Sequence, residues 1–177
     1  MPNYRRWRQA GGTWFFTVNL RDRRLRLLVE HIGALREATA WTMRRRPFRI
    51  DVFVVLPDHL HAIWTLPEDD TDFSTRWRLI KGRFSTAIPR TEESGSARLR
   101  AGERGVWQRR FWEHHIRDEE EYGVLVEYCL GNPVKHGHVQ RVADWPYSSF
   151  HREVRRGNFA RDWGGDDLPG AFGERDP

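Results

Sequence analysis

Apolar and polar positions change period several times along the chain, and each change marks an element. Residues 13–20, Thr-Trp-Phe-Phe-Thr-Val-Asn-Leu, are β-branched and aromatic. They follow the Gly11-Gly12 turn and end in Arg21-Asp22-Arg23-Arg24, which predicts an opening strand with basic residues at its exit. Leu28, Ile32, Leu35, Ala38 and Thr42 then recur near helical spacing, predicting a helix over 27–43 that Arg44-Arg45-Arg46 and Pro47 close. Residues 48–56 alternate at first and become continuously apolar, as in a central strand. Pro57-Asp58 turns the chain and residues 59–66 form a second β-like run, so 48–66 reads as a hairpin. Asp72 or Ser74 can cap a basic helix through Trp77, Leu79, Ile80 and Phe84 to about Ile88. Residues 89–105 are polar without periodicity and read as a loop, and 106–116 can supply a fourth strand. Asp118-Glu119-Glu120-Glu121 opens a helix carrying Val124, Leu125, Tyr128 and Cys129 up to Pro133. The order β-α-β-β-α-β-α predicts an α+β, ferredoxin-like fold: a mostly antiparallel central sheet with helices packed on it. One domain over 1–157 is expected, followed by a Gly- and Asp-rich tail, 158–177, expected to be poorly ordered.

Composition adds a partner class. The 30 Lys and Arg against 25 Asp and Glu leave a net charge of +5, mostly as Arg, which suits phosphate but is also ordinary for a soluble domain. Nine Trp are present, several flanked by Arg: Arg6-Trp7-Arg8, Arg76-Trp77-Arg78 and the run from Trp107 to Trp112. Rings beside cations suit unpaired bases, and they suit core packing equally. The lone Cys129 excludes an internal disulfide framework and a multi-thiolate zinc site, in keeping with a reducing cytosol. No apolar run approaches the ~18 residues of a membrane span and the start has no apolar signal core, so a cytoplasmic protein with no membrane partner is expected.

His59 and His61 lie two apart on a predicted strand, so both imidazoles share one face while Leu60 takes the other. Two neutral imidazoles can hold a divalent metal with positions left open for substrate. With eight His in the chain the bare pattern is weak, and His136-Gly137-His138 repeats it. The first pair follows an apolar strand and a Pro-Asp turn, whereas the second lies in a Gly- and Lys-containing loop where exposure is expected. Tyr128 and Asn132 sit four apart at the end of a predicted helix, and an amide oxygen can complete a metal site. Pro133 is expected to push Asn132 out of helical geometry. A core tyrosine and a helix-ending asparagine explain the pair equally well.

Leu56-Pro-Asp-His-Leu-His-Ala-Ile-Trp64, Trp107-Gln-Arg-Arg-Phe-Trp-Glu-His-His-Ile-Arg117, Glu127-Tyr-Cys-Leu-Gly-Asn-Pro-Val-Lys-His-Gly137 and Asp144-Trp-Pro-Tyr-Ser-Ser-Phe150 resemble the REP-associated tyrosine transposases, bacterial relatives of the single-tyrosine HUH transposases. Gly12-Thr-Trp-Phe-Phe-Thr-Val-Asn-Leu20 is similar to their opening strand, and the likeness spans about residues 3 to 165. The resemblance implies an HUH endonuclease fold that cuts and rejoins single-stranded DNA near repetitive extragenic palindromes (REPs), recognising a hairpin and a short flanking tetranucleotide. It implies that His59 and His61 hold Mg²⁺ or Mn²⁺ with help from Asn132, that Tyr128 attacks the scissile phosphate, and that the protein acts as a monomer at the nucleoid. Tyr122 does not align with the nucleophile. Gly131 departs from the pattern, since a bulkier residue would better support the helix that aims Tyr128. Trp14, Arg21, Arg23, Arg24, Lys81, Arg83, Arg109, Arg110 and Lys135 are candidate DNA contacts by charge, stacking capacity and position. A non-catalytic hairpin-binding regulator and a metal-dependent nuclease using activated water remain as alternatives.

Overall fold

The computed structural model describes residues 10–90, 104–164, 172 and 173. Its elements are β1 (Thr13–Asn19), α1 (Leu27–Glu30), α2 (Ile32–Arg45), β2 (Arg49–Val55), β3 (His59–Thr65), α3 (Phe73–Ala87), β4 (Trp112–His115), α4 (Glu119–Lys135) and α5 (Phe150–Arg155), with a 3-10 turn at Val142–Asp144. All strand pairs are antiparallel and the sheet order is β2-β3-β1-β4. This is the expected α+β, ferredoxin-like arrangement. Asp72 caps α3 by accepting from the Thr75 backbone N–H, and Asp118 caps α4 through Glu121.

Alternation along β1 and β3 divides the interior. Phe16 and Trp64 meet Phe73 and Trp77 of α3, whereas Phe15 and His61 meet Tyr128 of α4. The sheet therefore carries α3, with α2 packed beside it, on one face and α4 on the other.

Three elements differ from expectation. The helix expected over 27–43 breaks at His31, whose backbone leaves helical geometry. The Leu28 N–H donates to the Pro57 carbonyl, so α1 is tied to the β2–β3 turn and the axis is redirected before α2. The strand expected over 106–116 is confined to β4, preceded by one bridge between Leu20 and Trp107. Finally, α4 runs through Pro133 to Lys135. The proline removes one helical hydrogen bond near the end, where the cost is small, and the following turn is closed by bonds from His136, Gly137 and His138 N–H to the Asn132, Val134 and Pro133 carbonyls. Gly131 is buried inside this intact helix.

Of the tail expected to be poorly ordered, Phe159 and Trp163 pack on Phe150, and Phe172 packs on Tyr128. Arg6-Trp7-Arg8 and most of the loop expected over 89–105 lie outside the described residues. No helix among the described residues is long and apolar enough to cross a membrane.

Candidate active site around Tyr128

The β1–β3 register sets Thr17 opposite His61 and Asn19 opposite His59. Both imidazoles point into the α4 layer, where they are 1% and 0% exposed with ring centroids 5.0 Å apart. The Nδ1 of His59 donates to Asp58 Oδ1 at 2.8 Å, and Arg23 Nε donates to Asp58 Oδ2. Burial works against the ionised carboxyl, yet the His59 ring N–H and the Arg23 guanidinium outweigh it and hold the Asp58 pKa at about 2. The carboxylate can only accept, so neutral His59 keeps its proton on Nδ1 and its lone pair on Nε2. That Nε2 is buried and meets no hydrogen-bond partner. Thr17 Oγ1 donates to the Phe172 carbonyl at 2.7 Å, so it accepts from His61 Nδ1 at 3.0 Å, which places the His61 lone pair on Nε2 as well.

Helix α4 sets Tyr128 against this pair, with the His61 and Tyr128 ring centroids 5.3 Å apart. One turn later Asn132 occupies the same face and is fully buried. Lys135 Nζ lies 3.4 Å from the Tyr128 hydroxyl oxygen and 4.7 Å from the ring centroid, where its charge opposes negative charge gathering on that oxygen. The Phe172 backbone N–H donates to the same oxygen at 3.2 Å, and its ring rests edge-on against Tyr128 at 4.8 Å. Tyr128 is thereby wholly covered. His136, just past α4, brings another imidazole to 5.2 Å from His59. Among the described residues no three His, Cys, Asp or Glu side chains converge as a metal cage, so two imidazoles and an amide are the groups here that could hold a metal.

No family model matches the chain. The chain is 50% identical over 175 residues to the REP-associated tyrosine transposase of Escherichia coli K12, a match covering 99% of this chain and 98% of that protein. The chain belongs to the REP-associated tyrosine transposase family. A relative under the same designation from Haemophilus influenzae is 42% identical over 166 residues, covering 93% of this chain and 94% of that one. The solved structure of a REP-associated tyrosine transposase bound to a REP hairpin matches with a TM-score of 0.88 at 50% identity, over 100% of this chain and 99% of the other.

Within this member of the REP-associated tyrosine transposase family, the candidate DNA contacts separate by position. Trp14, expected to offer a stacking surface, is instead a core residue: it is 1% exposed and packs on Phe73 and His115 on the face away from Tyr128. Arg23 is half-buried and donates through Nε to Asp58. Arg24 is exposed and pairs with Asp22. Arg21, Arg109 and Arg110 are exposed. Lys81 donates to the Gln108 carbonyl at 2.6 Å, and Arg83 lies 4.0 Å above Trp41 on the α2–α3 side. Lys135 reaches the Tyr128 hydroxyl.

Sequence reasoning missed Thr17, Asp58 as the partner of His59, His136 beside His59, and Phe172. In the sequence Asp58 reads only as a turn residue, although a carboxylate next to a histidine is a usable signal. Thr17 follows once β1 is paired with β3. Nothing local pointed to Phe172.

Proposed function

We propose that the protein is a metal-dependent single-stranded DNA endonuclease and strand transferase that acts at the hairpins of repetitive extragenic palindromes through a 5′-phosphotyrosine. The observation that carries this reading is the meeting of Tyr128, His59 and His61 in one buried cluster, although they come from β3 and α4, with buried Asn132 one turn beyond Tyr128 on the same helix. The residues fit a divalent cation, because His59 Nε2 is a buried lone pair with no hydrogen-bond donor to receive. His59, His61 and Asn132 would hold Mg²⁺ or Mn²⁺, which when bound draws charge from the scissile phosphate as a Lewis acid.

The chain's own residues supply the rest. Asp58 and Thr17 fix which imidazole nitrogens carry protons. The Tyr128 oxygen attacks phosphorus and loses its proton while the bond to the 3′ oxygen breaks, and that oxygen takes up a proton in turn, leaving a 3′-hydroxyl and a DNA 5′ end linked to the phenol. Lys135 opposes the charge on that oxygen during attack. The covalent link conserves the bond energy for rejoining, so no nucleotide triphosphate is needed. A hairpin with single-stranded flanks is the partner, a monomer is the acting species, and the bacterial nucleoid is the setting.

One observation favours a second reading, a non-catalytic hairpin-binding regulator of the same fold: the tyrosine is wholly buried beneath Phe172. The two part in a single experiment, in which the protein is incubated with Mn²⁺ and a REP-type hairpin bearing unpaired flanks, then run on a denaturing gel. A protein–DNA band that survives denaturation is the expected result. Tight binding with intact DNA under every divalent cation would establish the regulator, and cut DNA with no protein-linked end would indicate hydrolysis by water.

A further inference from the structure

The second His-x-His motif is not an idle repeat of the first. Gly137, with φ +68, turns the chain directly after α4 so that His136 and His138 both emerge on the side of the His59 pocket. Ring contacts then run outward without a gap. His59 meets His136 at 5.2 Å, His136 meets His138 at 6.2 Å with 28° between planes, and His138 lies on Trp145 at 5.3 Å and 25°. Trp145 is fixed beneath, its indole N–H donating to the Val55 carbonyl at 2.9 Å and its ring edge-on to Tyr147. His136 and His138 are both exposed, whereas Trp145 is buried. A core residue would be covered, and a surface histidine would ordinarily have no rigid aromatic floor. A planar ring backed by a fixed tryptophan and open to solvent is what a sequence-tolerant stacking site for nucleobases requires.

We propose that His136 and His138, backed by Trp145, form a stacking subsite for unpaired bases of the strand that leads to Tyr128. This rests on the DNA-processing reading above. The subsite orders the single-stranded flank and does not serve the hairpin stem, because stacked base pairs have no face to offer an imidazole.

The test is fluorescence anisotropy without divalent cation, using two probes: a REP-type hairpin with unpaired extensions at both ends, and the same hairpin blunt-ended. His138→Ala is expected to weaken binding of the extended probe about tenfold and leave the blunt probe unchanged, and His138→Phe, which keeps a stacking face, is expected to restore most of the loss. Equal binding of the extended probe by wild type and His138→Ala overturns the subsite. So does equal weakening of both probes, or a His138→Phe variant as weak as the alanine. If wild type binds neither probe, the DNA-processing reading falls and takes the subsite with it.

Discussion

The two faces of the central sheet come from the same two strands, one residue out of phase. Toward α3, β1 and β3 send Trp14, Phe16, Val18, Leu60, Ala62 and Trp64; toward α4 they send Phe15, Thr17, Asn19, His59, His61 and Ile63. Polar atoms of β1, β3 and α3 that are buried and meet no hydrogen-bond partner lie on both faces, but they are of opposite kinds. On the α3 face these are the indole N–H groups of Trp14, Trp64 and Trp77. An indole N–H has no lone pair to give, and leaving one unpaired costs about 1–3 kcal/mol. Ring packing offsets the cost, with Trp64 at 4.1 Å from Trp77, 4.3 Å from Phe48 and 4.9 Å from Phe16. On the α4 face they are acceptors, Asn19 Oδ1 and His59 Nε2, the second able to ligate a metal. An unpaired buried polar group does not by itself mark a site. A lone pair held in place by an outer carboxylate is what distinguishes His59 from the three indoles.

Three substitutions sharpen that contrast. Trp64→Ala opens the aromatic cluster and should lower the unfolding free energy by about 3–5 kcal/mol in urea titrations, with adduct formation per folded molecule unchanged. A cost no larger than that of an exposed substitution would mean the α3 face is not the stability core. Asp58→Asn should act the other way, weakening Mn²⁺ binding in calorimetry about 10- to 100-fold while largely preserving the fold. Because the folded pKa of Asp58 is depressed to about 2 from 3.8, its stabilising contribution is present above 3.8 and is lost as pH falls toward about 2. The urea midpoints of wild type and Asp58→Asn should therefore differ at mildly acidic pH and converge on further acidification. Phe172→Ala should have the smallest effect, uncovering Tyr128 and raising the rate of adduct formation severalfold, with a stability change of less than about 1 kcal/mol. An unaltered rate would mean that DNA displaces Phe172 without hindrance.

Local signals carried much of this architecture. Period-two alternation fixed the common face of His59 and His61, because strand geometry needs no knowledge of distant residues. The β2–β3 hairpin, a cap at Asp72 or Ser74 and the start of a helix at Asp118 were legible for the same reason. Failures came where tertiary contacts override a local rule. Pro133 reads as a helix end, but burial of Leu130, Asn132 and Pro133 against the sheet carries α4 beyond it. Trp14 looked like a DNA contact because alternation assigns residues to two faces without saying which one α4 will cover. The bond from Thr17 to Phe172 spans 155 positions, a separation no periodicity encodes.

The central claim is that Tyr128 forms the covalent bond to DNA. The most direct measurement is peptide mapping by mass spectrometry of the protein after reaction with a flanked hairpin and Mn²⁺, run beside Tyr128→Phe. The account predicts a nucleotide-linked peptide containing Tyr128 in the wild type and no adduct in the variant. A linkage mapped to Tyr122 or any other residue, or an undiminished adduct from Tyr128→Phe, would contradict it.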